Sequence, residues 1–535
     1  MGFEETLRVN RTSAVDAAVR PPAHALTRES VPSATGILLG LATVRLAIQF
    51  SGINHYGFFR DELYYMACGE HLAWGYVDQP PLIALIAWLV RHSLGDSLVA
   101  IRLLPALAGA STVFLTGVLA RELGGGRFAQ ILAATAVLFA PAFLAFDGFL
   151  SMNAFEPLFW IVCAVLAVRI VKGASQELWI VFGIVSGFGL ENKHTMLIFG
   201  FGLIAGLVLS RQTNMLGSRW IWVGGAVALA IFLPNLIWEA HHGWPQIEVV
   251  RNAQQFKNVA IGPFGFLWDD VLFLHPVALP IWIAGLAWLL FAKEGKRYRF
   301  LALTFLIVLG VFILLGGKSY YALPAFPVLL AAGGVALENY FAPASRLWLK
   351  VAYPLLLVLG GIVTVPFGVP ILPVETFLRY SQSLPYASNV KTERDATAAL
   401  PQLYADMFGW DTMAESVASV YQQLPAAEQA GCAILAGNYG EAGAIDYYGP
   451  KLGLPKALSG HNSYFYWGPR DYSGACVIVF GERSDEFKSF FVESRLVATT
   501  SNPHGMPNEQ RVPIYLCRKP RESLAALWPN FKMII

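Results

Sequence analysis

Apolar runs long enough to cross a membrane recur through the first 372 residues, and no other feature restricts the fold as strongly. Inside a bilayer every backbone N–H and C=O must be paired within the structure, which leaves helices or a closed barrel. A helix needs about 20 mostly apolar residues to span. Such runs lie at about 35–50, 98–119, 128–146, 155–171, 177–192, 195–210, 219–238, 265–291, 300–316, 321–339 and 350–372. The chain therefore reads as mainly α, a polytopic helical bundle of about eleven spans over 34–372. Only 14% of its 535 residues are charged, against about 25% in a soluble protein, which agrees with that reading. Membrane lipids are its surroundings. A net charge of +2 gives no electrostatic case for nucleic acid.

The first 33 residues are polar, carry four arginines and Pro21-Pro22, and read as a disordered cytoplasmic tail. They are too long and polar for a signal-peptide n-region, so the first apolar run is expected to stay as an anchor. Arg45 within it is expected to snorkel or to bond a neighbouring helix. The loop 53–81, INHYGFFRDELYYMACGEHLAWGYVDQPP in its core, interleaves aromatic and charged residues, as expected of a short helix lying on the membrane surface. After Pro81, LIALIAWLVRHSLG is too short to span and reads as a second interfacial helix. Basic residues cluster on alternate loops, at Arg121 and Arg127, Arg169 and Lys172, Arg211 and Arg219, 293–299, and Arg346 and Lys350. The positive-inside rule makes those loops cytoplasmic. The expected placement is a multi-pass protein of the cell (inner) membrane with its N-terminus inside. The loop 53–81 and everything after 372 then lie outside.

From 373 the composition changes. Helical-looking sequence over 394–425 precedes a short strand at 433–435, a turn GNYGEAGAIDYYG, and strand-like CVIVFG and VPIYLC. Residues 373–535 read as a small extracytoplasmic α/β domain. The glycine spacing of that turn matches neither a P-loop nor a dinucleotide fingerprint. Five cysteines with no CxxC leave no zinc or iron–sulfur reading; among Cys432, Cys476 and Cys517, one disulfide or buried thiols both fit.

The outer loops collect the unusual polar groups: Asp61, Glu62, Glu70, His71 and Asp78; Asp147, Asn153 and Glu156; Glu191 to His194; Glu239, His241 and His242; then Lys318, Tyr320 and Tyr321. Ionisable groups beside hydrocarbon are costly unless they are solvated or do chemistry. Carboxylates, an amide and lysines on one face can hold a metal or phosphate and deprotonate a hydroxyl. Bland readings stand beside this one. Glu62 fits a solvated pair with Asp61, and Glu70 with His71 an interfacial pair. Asp147 fits a helix cap, Glu156 before Pro157 a structural carboxylate, Lys193 and Lys318 snorkelling, and the tyrosines an aromatic belt.

Three pieces resemble one family. An Asp-Glu just after the first span, an acidic residue before Pro-Pro at the end of that loop, and Lys-x-x-Tyr-x-x-Pro opening a late span recur in GT-C glycosyltransferases of the protein O-mannosyltransferase and lipid A aminoarabinose transferase type. Here they read DELYYMACGEHLAWGYVDQPP and GKSYYALPAFP. A fourth, GLENKH, is similar to the family's Leu-x-x-Lys-Gly turn with His194 in place of glycine. The resemblance covers about 35–340 and implies a GT-C fold with an enzyme's function: moving a sugar from a polyprenyl-phosphate donor to a lipid, glycan or protein acceptor on the outer face, with inversion. It implies that Asp61, with Glu62, is catalytic, as base or metal-side ligand. Lys193, Lys318, Tyr320 and Tyr321 would surround the donor phosphate. Asp78, with Asn153 or Glu156, would lie at a divalent metal. Two departures stand out: the family's Glu-Lys-Pro-Pro is Asp78-Gln79-Pro80-Pro81, so one phosphate-binding lysine is missing, and the aspartate expected after the third span has no clean match, with Asn153 or Glu156 in its place, which weakens the metal reading. The C-terminal domain resembles that of bacterial members and adds no chemistry by this reading; a role in acceptor selection rests on its placement alone. The rival is a transporter or flippase of lipid-linked sugars. It would place ionisable groups at midplane on broken helices, and such proteins often show internal repeats, of which none is visible here.

Overall fold

The structure, a computed structural model, describes residues 33–384, 393–394 and 397–535, so the expected tail lies outside the described residues. Helix α1 (Thr35–Gly52) leads into α2 (Arg60–Glu70), α3 (Leu82–Ser93) and α4 (Leu98–Glu122). Among the described residues seven helices are long and apolar enough to cross a membrane: α1, α4, Met152–Val171, Arg219–His241, Gly295–Leu314, Ser319–Tyr340 and Ala344–Gly368. The runs expected at 177–192 and 195–210 form Leu178–Asn192 and Met196–Leu209, which with α3 and Arg127–Leu138 are shorter apolar helices. The run at 265–291, expected as one span, is two helices, Pro263–Phe273 and Pro276–Phe291, turned 102° from each other. Pro276 cannot donate a helical hydrogen bond, and His275 sits at φ 79° with its ring accepting from Val277 N at 3.1 Å, so the ladder breaks there.

Of the Ser319–Tyr340 window 78% is buried against 22% for α1, so the late helix is central and α1 peripheral. Small residues set the spacing in the centre. A Cβ at Gly333 would stand 1.9 Å from the Ile281 carbonyl oxygen, so only glycine allows this approach of backbones. Arg45 does not snorkel: it is fully buried, pairs with Asp147 and donates to the Leu138 carbonyl at 2.6 Å. The cap expected at Asp147 is this ion pair instead.

The C-terminal part holds one five-stranded sheet, ordered β2-β1-β3-β5-β4. The strands are β1 (Cys432–Ala436), β2 (Leu458–Ser459), β3 (Cys476–Phe480), β4 (Phe491–Thr499) and β5 (Pro513–Pro520). β1 runs parallel to β2 and β3, and β5 antiparallel to β3 and β4. Every residue of β1 and β3 is buried, the signature of strands covered on both faces. Cys432 and Cys476, register partners, form a disulfide, and Cys517 is a buried free thiol.

Two local expectations change. α2 does not lie open on a membrane surface: Glu62 through Gly69 are all buried. Its cover is Tyr439–Tyr448, the stretch expected as a turn, which is a helix. Asn438 caps it, accepting from Glu441 N at 2.9 Å while the Glu441 carboxylate accepts from Asn438 N at 2.9 Å. The glycines that suggested a turn serve close packing instead. A Cβ at Gly443 would stand 2.9 Å from the Leu63 carbonyl carbon, and one at Gly440 2.3 Å from Arg60 Cγ. This helix therefore sets Tyr439 directly over the start of α2.

Candidate active site

Asp61 opens α2 and keeps 29% of its side chain exposed. Tyr439 donates its hydroxyl to Asp61 Oδ1 at 2.9 Å. The other carboxylate oxygen has no protein partner among the described residues. Arg60 beside it stands 3.9 Å from Asp61 and 3.6 Å from the buried Asp406, with its guanidinium 5.7 Å from the Tyr439 ring centroid. Burial pushes the Asp406 carboxyl up to about 6, against the pull of Arg60. The C-terminal domain thus holds both the residue expected to react and the arginine next to it, through Tyr439 and Asp406.

Glu62, one residue on, is in a different situation. It is fully buried and its acceptor sites are occupied. Arg102 Nε and Nη2 donate to its two oxygens at 3.0 and 2.7 Å, and the amides of Leu150 and Phe59 at 2.9 and 2.8 Å. Arg102 also donates to the carbonyls of Ile53 and Gly57 at 3.0 and 2.7 Å. The solvated pair and the catalytic pair both dissolve: Glu62 ties α4, the loop before α2 and the turn at Leu150 together.

Asp78, at the far end of the same loop, accepts from the Tyr64 hydroxyl at 2.7 Å. Ser463 Oγ sits 2.8 Å from that hydroxyl and 3.2 Å from Val77 N. Burial raises the Asp78 carboxyl to about 6, the charge of Asp61 adding to the rise while Tyr64 opposes it. Two carboxylates from opposite ends of one loop therefore act on each other.

The lysines and tyrosines form a row of contacts of their own. Lys318 lies 5.8 Å from the Tyr320 ring centroid, Tyr320 packs edge-on against Tyr321 at 4.9 Å, and Lys193 lies 4.6 Å from the Tyr321 ring. Lys193 donates to Asn153 Oδ1 at 2.8 Å and Glu156 Oε2 at 2.9 Å, and Thr195 donates to the other Glu156 oxygen. These residues do not fit a divalent cation: the ammonium of Lys193 already occupies the place between Asn153 and Glu156. Asp78 is bound to Tyr64, with no bond to either. Among the described residues no group of three or more His, Cys, Asp or Glu could hold a metal.

Several participants were invisible in sequence. Tyr439, Ser463 and Asp406 come from the domain expected to add no chemistry, and Arg102 sits inside an apolar run and pairs with Glu62, 40 positions away. Glu393 pairs with Lys318 and Lys257. The one signal available was the density of tyrosine over 439–467, with His461 among them.

The family model described as dolichyl-phosphate-mannose-protein mannosyltransferase matches residues 78–238. The lipid A galacturonosyltransferase RgtD of Rhizobium johnstonii is 25% identical over 237 residues, 42% of this chain. The chain spans 48% of that relative's length. Among solved structures, ArnT from Cupriavidus metallidurans bound to undecaprenyl phosphate superposes with a TM-score of 0.60 at 14% identity, over 90% of this chain and 98% of ArnT. The mycobacterial arabinofuranosyltransferase AftD superposes with a TM-score of 0.51 at 14% identity, over 92% of this chain and 40% of AftD. The shared fold is the GT-C bundle with a domain after it.

Proposed function

We propose that this chain is a GT-C glycosyltransferase, an integral membrane enzyme that moves a sugar from a polyprenyl-phosphate donor to a hydroxyl of an envelope lipid, glycan or protein. The observation that carries the reading is the partly exposed Asp61, with one oxygen fixed by Tyr439 and the other free among the described residues. In the reaction the acceptor hydroxyl oxygen bonds to the anomeric carbon as the bond from that carbon to the phosphate oxygen breaks. The hydroxyl proton goes to the free oxygen of Asp61, and the electron pair leaves with the lipid phosphate. Lys318 receives the developing charge, with Tyr320 and Tyr321 bordering it. Lys193 holds its wall through Asn153 and Glu156, and no step is routed through a metal. Glu62 positions Asp61 rather than reacting. The basic loops expected inside and the Cys432–Cys476 disulfide, a bond of oxidising compartments, support an extracytoplasmic site.

Mass spectrometry of lipid-linked sugars and envelope glycans, with and without the gene, tests this. The expected result is a donor that accumulates and a glycan that loses one sugar. The flippase reading draws on the broken helix pair, where Asp270 is fully buried with neither oxygen bonded. Donor movement across proteoliposomes with no glycan product would replace the enzyme reading with that one.

Asp78 adds a pH signature. Its carboxyl, raised to about 6, is protonated at pH 5 and ionised above pH 7. An ionised Asp78 beside Asp61 strengthens the pull on the acceptor proton. Transfer should therefore fall on the acid side with an apparent pKa near 6, and Asp78→Asn should flatten that limb. An unchanged profile in the variant removes Asp78 from the reaction.

A further inference from the structure

Lys318 does not face an open cavity. Glu393, 8% exposed, stands on it. The same carboxylate oxygen lies 3.6 Å from Lys257 Nζ, and the other accepts from Gln402 Nε2 at 2.9 Å. Burial alone would push this carboxyl up. The charges of Lys257, Lys318 and Arg60 outweigh burial and hold it well below the usual carboxylate range. Two ammonium groups and an amide arranged around one anion make an anion site, and the anion now in it belongs to the chain itself. Its backbone is pinned to the bundle as well. Asn258 and Glu393 form an antiparallel bridge, Arg394 N donates to the Lys257 carbonyl at 2.9 Å, and the Arg394 side chain donates to the Asn258 carbonyl at 2.8 Å. An open groove of about 400 Å³, edged by Val259, Ala260, Leu314 and Leu315, adjoins the site at Asn258 and Gly316.

We infer that Glu393 stands in for the donor's phosphate: the site of Lys257, Lys318 and Gln402 takes the phosphate of a lipid carrier, and Glu393 must leave before that phosphate can bind. The inference rests on the donor reading given above. A phosphate and a carboxylate cannot share two lysines, because like charges at contact distance in a poorly solvated site repel strongly. The competition is intramolecular, so it lowers donor affinity by the fraction of molecules in which the site is free. Lys257 and Gln402 thereby join the donor site. Glu393 itself, held by the bridge to Asn258, is then the group the donor displaces.

The test is binding of undecaprenyl phosphate to the full-length protein in nanodiscs. Glu393→Gln and Glu393→Ala should each tighten binding about tenfold, the gain expected if nine molecules in ten are self-occupied. Lys257→Ala should weaken it. In the wild-type protein, adding undecaprenyl phosphate should speed hydrogen exchange at the Arg394 amide as the bridge to Asn258 opens, a readout that needs no variant. Unchanged or weaker binding in both Glu393 variants, with Arg394 exchange unaffected by the lipid, overturns the inference. If Lys318→Ala and Lys257→Ala also bind the lipid like wild type, the donor reading itself has failed. If they weaken binding, that reading stands without the displacement of Glu393. Inorganic phosphate titrated in parallel separates the sources: a gain with undecaprenyl phosphate alone supports the lipid phosphate, and a gain with inorganic phosphate alone overturns it.

Discussion

Asp61→Asn should cut sugar transfer about 10²–10⁴-fold, the span associated with losing a positioned general base. The substitution is nearly isosteric. Asparagine keeps an oxygen to accept from the Tyr439 hydroxyl, now 2.9 Å from Oδ1, so the link between α2 and the helix above it survives. Arg60 loses only a 3.9 Å contact and retains Asp406 at 3.6 Å. At 29% exposure the side chain is not part of the packed interior, so thermal unfolding should stay within about 1 kcal/mol of wild type. What is lost is the ability to take a proton. The measurement is initial rate of transfer from a polyprenyl-phosphate sugar at saturating donor, with undecaprenyl phosphate affinity alongside it. Because the carboxylate paired with Lys318 and Lys257 is Glu393 and not Asp61, donor affinity should hold while turnover collapses. Transfer at the wild-type rate would take the reaction away from Asp61.

How much of this could be read from the chain depends on the kind of force involved. The bundle was legible because hydrocarbon imposes one rule on every span, and the apolar runs that become α1, α4 and Met152–Val171 obey it. The break at His275 was not, because Pro276 within an apolar run is equally compatible with a kinked span. Asp61, Asp78, Lys193, Lys318 and the two tyrosines were each singled out from local density of charge; the structure links Lys318, Tyr320, Tyr321 and Lys193 in one row of contacts, and gives Asp61 and Asp78 each a tyrosine hydroxyl. Their partners were not legible. Tyr439 meets Asp61 across 378 positions and Ser463 meets Tyr64 across 399, and no periodicity reports such a pairing. The helix Tyr439–Tyr448 was misread for a physical reason. Glycine's cost in a helix argues against one, but here the missing Cβ lets it lie on Leu63, and tertiary packing overrides propensity. Asn153 and Glu156 drew attention as metal ligands because oxygen ligands look alike whether they hold a metal or an ammonium. Only the placement of Lys193 between them tells the two apart.

Glu62 shows most clearly that adjacent carboxylates in one motif can have opposite jobs, and its removal should produce the largest loss of stability. Glu62→Gln or Arg102→Met, made singly, should each cost about 3–5 kcal/mol, because each leaves the other charge buried without a partner. Both side chains are essentially inaccessible, at 0% and 1%, so water cannot take over. The loss should appear as a lower thermal midpoint and a lower yield of folded protein in membranes. Turnover per folded molecule should fall far less than in Asp61→Asn, since Glu62 touches nothing that reacts. The double variant carries a further expectation. Removing both charges relieves the unpaired ion, so its loss should be smaller than the sum of the single losses. It should not return to wild type. The carbonyls of Ile53 and Gly57 would lack the guanidinium that now donates to them, and the single amide oxygen left at position 62 could replace only one of the two oxygens that accept from Phe59 and Leu150. The opposite pattern, with Glu62→Gln as stable as wild type yet unable to transfer sugar, would restore Glu62 to the chemistry and leave Asp61 as its neighbour.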